Sequence, residues 1–286
     1  MTIRSLLFPA AIALCLAAAP VAPPRMNSSI PAATPKFTDC QKLPSPEEFA
    51  ELAKTDVLAM LNASMSRYKC EVRGYACTMQ KQERVKGSPG KLEIIDIAFR
   101  DDPFAVVMKW KEGAGLAAST LYAKGDNKGQ LKARTLLGLQ DSDPNGFLAR
   151  QSSRFSILDF GIYRGTLRTY TIWKRAQENG TLKVEYLGTK PVKELNDRVC
   201  HLIRRTVDPP EVDNFSMADT EVRSPATYPK ETIGQVTIMV DVETWLHLGS
   251  EIRHPDGSLI AGYYFRDLKL NPKFDRGQFH PDVLKK

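Results

Sequence analysis

The sequence predicts an α+β fold in which helices gather on one side of a single curved antiparallel β-sheet. Three observations carry this reading. Between Tyr75 and Trp110 the chain alternates apolar and polar residues through three strand-length runs separated by turn chemistry. Two other stretches space their apolar residues for helices. Strands also follow strands, with no regular strand–helix alternation of the kind a parallel sheet would need.

The 286-residue chain opens with Arg4 and an apolar run from Leu6 to Ala19. This matches a secretory signal, read here as residues 1–22, and the run is too short to span a bilayer comfortably. The expected location is therefore periplasmic or secreted. Leu14 is too large for the position before a lipidated cysteine, which argues against lipidation at Cys15. Residues 23–44 are rich in Pro, Ala and Ser and read as a disordered linker. Residues 45–286 are then one domain of roughly 240 residues, long enough for a full core.

A helix is expected from Ser45 to Tyr68. Ser45 is its N-cap, Pro46 suits the first turn, and Phe49, Leu52, Leu58, Leu61 and Met65 form its apolar stripe. Strands follow at 75–85, 92–100 and 104–111, with turns at Lys86-Gly87, Pro89-Gly90 and Asp101-Asp102-Pro103. In the third strand Phe104, Val106, Met108 and Trp110 share one face, and Ala105, Val107, Lys109 and Lys111 share the other. Strands at 119–124 and 130–136 complete a meander. A second helix spans 163–177 and stops at Asn179-Gly180. Strands resume at 182–187, 198–207, 235–242 and 259–270, giving about nine in all. The proline-rich segment 208–229 reads as a long loop, and Asp256-Gly257 as a hairpin turn.

Four cysteines remain beyond the signal. In an exported protein an even count favours disulfides, though four cysteines allow three pairings. The expected pairs are Cys77 with Cys200, joining an early strand to a late one, and Cys40 with Cys70. No CxxC pair suggests a metal, and no metal site or cofactor is expected. The net charge of +7 is spread over short patches such as Lys109 with Lys111 and Arg204 with Arg205. None interleaves with aromatics as nucleic-acid binding would require. A basic surface facing anionic lipid or an envelope polymer is the more sensible use, and a merely solvated surface is the plainer reading, so charge decides little here.

The motifs Tyr75-x-Cys77, Gln82-Glu83-Arg84-Val85-x-Gly87 and Pro103-Phe104-x-Val106-x-Met108-Lys109-Trp110 resemble DUF1571, a family of exported bacterial domains of unknown function. Cys200-His201, Asp241-x-Glu243-Thr244 and the run from Tyr263 to Asn271 extend the resemblance, which covers residues 48 to the end. The family is similar in architecture to the periplasmic lipoprotein carriers of the Lol pathway. The resemblance thus implies an open half-barrel with helices packed on its concave side. It carries no catalytic residue over, and the sequence motifs of the Lol carriers are absent.

The concave face of an incomplete barrel is closed either by its own helices or by a ligand under them. Its candidate lining residues are Val106, Met108, Trp110, Val236, Ile238, Val240, Tyr263 and Phe265. Met and aromatic side chains adapt to irregular apolar ligands, yet the same alternation also describes ordinary core. His201, His247, His254 and His280 lie in separate segments without metal-ligand spacing, and no G-x-S-x-G elbow is present. Glu83 is the acid to test first for any activity, with a structural ion pair as the plainer role. The expected function is a non-catalytic envelope protein that binds or carries a lipid-like or acylated ligand. The alternative is an envelope protein–protein or polymer interaction module with a filled core, and a secreted hydrolase ranks last. The expected partners are a lipid or acylated ligand, then a membrane surface or envelope proteins, and no nucleic acid.

Overall fold

A computed structural model describes residues 39–85, 88–213, 215–217 and 232–285. The expected signal, most of the linker, Cys15, the Lys86-Gly87 turn and much of the 208–229 loop lie outside the described residues. Four α-helices are formed: α1 (Pro46–Thr55), α2 (Val57–Glu71), α3 (Phe147–Ser152) and α4 (Ile162–Glu178). Twelve strands accompany them: β1 (Gly74–Val85), β2 (Ser88–Pro89), β3 (Glu93–Arg100), β4 (Ala105–Glu112), β5 (Ser119–Ala123), β6 (Leu131–Thr135), β7 (Gly138–Ser142), β8 (Lys183–Val192), β9 (Arg198–Val212), β10 (Thr232–Asp241), β11 (His247–Arg253) and β12 (Leu259–Leu270).

The strands form one antiparallel sheet in the order β7-β6-β5-β4-β3-β1-β12-β11-β10-β9-β8, with β2 turned back onto β1. The outer strands β7 and β8 do not pair with each other, so the barrel is open. The meander β3 to β7 lies on one side of β1, and the strands β8 to β12 lie on the other. Pairing of β1 with β12, Met79 opposite Phe265 and Lys81 opposite Tyr263, joins the two halves.

The predicted first helix is two helices. Ser45 caps α1 with a reciprocal capping box: its hydroxyl accepts from the Glu48 amide, and the Glu48 carboxylate accepts from the Ser45 amide. Asp56 then leaves the helical conformation and caps α2 through the Ala59 amide. A short acidic side chain that competes for backbone amides explains this break. α2 is buried on most of its circumference because it lies between neighbouring elements, and its polar Ser64 donates to the Trp245 carbonyl at 2.6 Å. α4 buries one stripe, Ile162, Thr166, Trp173 and Ala176. It enters through Gly161 at φ +123°, where an added Cβ would lie 3.1 Å from the Phe99 ring.

Strands β7 and β11 were not expected, and β9 runs beyond Val207 to Val212 through Pro209 and Pro210. Every residue of β7 up to Asp141 is exposed, so no apolar alternation marks it in the sequence. The outer face of the meander is not wet at its base. Ala98, Ala105, Val107, Leu121 and Ala123 are covered there by Phe274, Phe279, Val283 and Leu284 from the C-terminal segment.

The cysteine expectations divide. Cys40 is bonded to Cys70, fastening the segment before α1 to the end of α2. Cys77 and Cys200 are free and buried, which corrects the expected second bridge. Cross-strand pairing puts Cys77 on the face shared with Ile97 and Met79, whereas Cys200 points the other way from Ile203. Strands β12, β11 and β10 also separate them, roughly 19 Å along the sheet, against at most ~6.8 Å between the Cα atoms of a disulfide. Burial pushes the Cys77 thiol up strongly and the Cys200 thiol up to about 12, so both are poor nucleophiles.

Candidate functional site

The face of the sheet under the helices follows directly from register. Tyr75, Cys77, Met79, Lys81 and Glu83 of β1 share it with Phe99, Ile97, Ile95 and Glu93 of β3. Those β3 residues stand beside Val106, Met108 and Trp110 of β4. On the far side, Phe265 and Tyr263 lead through Ser250 to Ile238, and Ile238 to Ile203. All eight candidate lining residues thus belong to one face.

Over most of its area this face is filled. Val106, Ile238 and Val240 are 0% exposed and Met108 is 8% exposed. Val106 and Met108 share a cluster with Tyr68 and Val72 at the end of α2 and with Ile162 of α4. Ile238 and Val240 share another with Phe49 of α1, Leu61 of α2 and Trp173 of α4. Phe49 stacks on Trp245 at 4.4 Å between centroids, and Tyr75 stacks on Phe99 at 4.6 Å. The Tyr75 hydroxyl accepts from the Ile162 amide at 3.2 Å and so positions the start of α4. Trp110, Val236 and Phe265 are only partly buried and flank these clusters.

One corner is charged instead. Lys81, 6% exposed, lies 3.2 Å from Glu83 and 3.1 Å from Glu93. The Tyr263 hydroxyl donates to Glu83 at 2.5 Å, and the Trp110 indole donates to Glu93 at 2.6 Å. Arg154, fully buried, donates its amide to Glu83 at 3.4 Å and its guanidinium to Asp213 at 3.3 Å. Burial alone would raise the Glu83 carboxyl, but Lys81 and Tyr263 hold it below its ordinary value. Burial would likewise lower the Lys81 ammonium, and the two glutamates raise it instead. Each charge is therefore kept ionised by its neighbours. Glu83, the acid singled out in the sequence, is engaged in an ion pair along its own strand as well as in a hydrogen bond across it. Tyr263, expected as an apolar lining residue, joins Lys81, Glu93, Arg154 and Asp213, which sequence reasoning missed, in one network with Glu83. The available signal was the period-2 run Tyr75, Cys77, Met79, Lys81, Glu83, in which the inward face changes from apolar to charged.

Beside this corner, beneath α4, is a cavity of about 70 Å³ whose lining includes Arg168, Trp173, Arg205, Val236, Ser250 and Tyr263. That is room for a few waters at most, whereas a drug-sized ligand pocket is ~300–1,000 Å³. Arg168 lies over the Phe155 ring at 3.8 Å, and Arg205 pairs with Glu211 at 3.0 Å.

The histidines do not converge. His201 Nδ1 is 3.1 Å from the Tyr186 hydroxyl, His247 Nε2 is 2.8 Å from the Ser250 hydroxyl, His254 Nδ1 is 3.0 Å from the Thr232 carbonyl, and the exposed His280 faces Asp282 at 3.0 Å. Burial pushes the His247 imidazole down to about 4. Among the described residues no three His, Cys, Asp or Glu side chains are grouped to hold a metal ion, and no helix is long and apolar enough to cross a membrane.

Several solved structures are similar to this chain at low identity. Pseudomonas aeruginosa MucB, solved as a complex with MucA, matches with 14% identity and a TM-score of 0.45, over 80% of this chain and 62% of that one. The chain thus spans less than two thirds of the length of that relative. Mycobacterium tuberculosis lipoprotein LppX matches with 11% identity and a TM-score of 0.40, over 76% of this chain and 97% of the other. A LolA superfamily protein from Nitrosomonas europaea matches with 10% identity and a TM-score of 0.31, over 78% and 98%. No curated protein matches the sequence. The family model described as "Protein of unknown function (DUF1571)" matches residues 72–284, from the end of α2 through the whole sheet to the C-terminal segment, and the chain belongs to that family.

Proposed function

We propose that this chain is an exported, non-catalytic envelope protein that works by binding through its surface, with its helix-covered groove closed by its own side chains. The observation that carries this reading is the filling of the groove. Val106 and Met108 share a buried cluster with residues of α2 and α4, Ile238 and Val240 share one with residues of α1, α2 and α4, and the cavity beneath α4 is about 70 Å³. A long acyl chain would need the helices to move aside. The Cys40–Cys70 bridge supports export, because such bonds persist in oxidising compartments. The buried charges support a structural role for Glu83, since Lys81 and Tyr263 already satisfy its carboxylate.

Organic-solvent extraction of the protein purified from its native envelope, followed by mass spectrometry, tests the reading. The expected result is no stoichiometric lipid. A lipid or acylated peptide recovered at one per chain would overturn it in favour of carriage.

A further inference from the structure

The end of the sheet where β3 begins and β4 and β6 finish carries four exposed leucines on three adjoining connections. Leu92, 47% exposed, immediately precedes β3; Leu116, 64% exposed, lies between β4 and β5; Leu136 and Leu137, 104% and 88% exposed, form the β6–β7 turn. The connections abut. A Cβ on Gly113 would lie 2.1 Å from the Leu92 carbonyl oxygen, and the Ala118 amide donates to the Arg134 carbonyl at 2.9 Å. Single exposed leucines are ordinary, whereas a row of them marks a binding surface.

Two further observations identify what it binds. At the Leu136-Leu137 tip the polar backbone of Leu137 is hydrogen-bonded within the turn. The Thr135 hydroxyl accepts from the Leu137 amide at 3.1 Å and donates to the Gly138 carbonyl at 3.1 Å, while the Gln140 side-chain amide donates to the Leu137 carbonyl at 3.4 Å. These bonds lower the cost of taking Leu137 out of water. The surrounding charge is basic. Lys109 and Arg134 lie on one cross-strand row through Ser119, and Lys91 precedes Leu92. None of these three has a carboxylate within ion-pairing distance among the described residues. Lys111 is paired with Asp96 at 2.8 Å, which leaves Glu112 as the opposing charge at this end.

We infer that this leucine-bearing end of the sheet docks onto an anionic lipid bilayer. Leu136 and Leu137 enter the boundary between headgroups and acyl chains, and Lys91, Lys109 and Arg134 face lipid phosphates. The inference rests on the surface-binding reading and names its partner class. It is distinct from carriage, because the acyl chains stay in the membrane.

The test uses the full chain with Leu137→Trp, mixed with vesicles of phosphatidylglycerol and phosphatidylethanolamine that contain brominated lipid. Quenching of the new tryptophan, over that of the wild-type chain, reads the tip itself whatever other segment touches the vesicle. The expected result is clear quenching that is lost on pure phosphatidylcholine and weakened at about 1 M salt, where screening acts within ~3 Å. Leu136→Ser with Leu137→Ser should lower vesicle partitioning about tenfold or more, with circular dichroism unchanged because both side chains are exposed. An unquenched tip on vesicles of every composition overturns the inference. If the paired serine variant then loses an envelope protein in pull-downs, the surface-binding reading survives with a protein partner instead.

Discussion

The apolar floor of the groove and its charged corner occupy the same face of the same sheet, yet they are held together differently. Around Ile238, Val240 and Val106 the helices bring hydrocarbon, and closeness of fit supplies the stability. Around Lys81 the strands bring three ionised groups into a nearly dry site, and the arrangement persists only because each charge has a partner. Loss of one group therefore has different consequences in the two places. A cavity on the floor costs in proportion to its volume, while a vacancy in the corner strands a charge.

Lys81→Met should break the contrast most severely. It leaves the buried Glu83 and the partly buried Glu93 without Lys81, and a loss of about 3–5 kcal/mol is expected in denaturant unfolding. Adding Glu83→Gln and Glu93→Gln to that variant should recover part of the loss. If the triple variant is less stable still, the corner acts as more than a set of mutually neutralising charges. On the floor, Ile238→Ala should cost about 2–5 kcal/mol, and no second charge-removing change should rescue it.

Acid titration sharpens the comparison. The folded His247 imidazole titrates at about 4, below its ordinary 6.5, so the unfolded chain takes up this proton first. Stability from this group is complete above pH 6.5 and falls as pH drops toward 4, by roughly 3 kcal/mol at most. His247→Gln should flatten that slope, as followed by midpoint denaturant concentration against pH. Glu83, held below its ordinary value, adds a further loss only as pH falls below about 4.5. The smallest effect belongs to an exposed pair. Lys183 and Asp208 lie 2.7 Å apart with side chains 59% and 62% exposed, and Lys183→Ala should change stability by less than about 0.5 kcal/mol.

Much of this architecture was legible because it rests on short-range patterns. The alternation in β1, β3 and β4 assigns their faces, Ser45 and Pro46 mark the start of α1, and Asn179-Gly180 marks the end of α4. The strand β7, exposed up to Asp141, escaped notice because exposure removes the alternation that identifies a strand. β11 was not expected, since Gly249 and Ser250 interrupt its apolar character. At Gly249 an added Cβ would lie 2.5 Å from Met239 Sδ, a cross-strand approach that one sequence cannot reveal. The Cys77–Cys200 pairing failed for a related reason: loop-closure entropy favours distant bridges without regard to which face each thiol occupies. The corner could be read only in part. The inward step from Met79 to Lys81 and Glu83 is written in β1, whereas Arg154, Asp213 and Tyr263 come from segments up to 180 residues away.

A crystal structure of the protein isolated from its own envelope would test the closed groove most directly. The account predicts side chains of α1, α2 and α4 in continuous contact with Val106, Met108, Ile238 and Val240. Elongated electron density lying between Met108 and α4, with the helices displaced from the sheet, would contradict it.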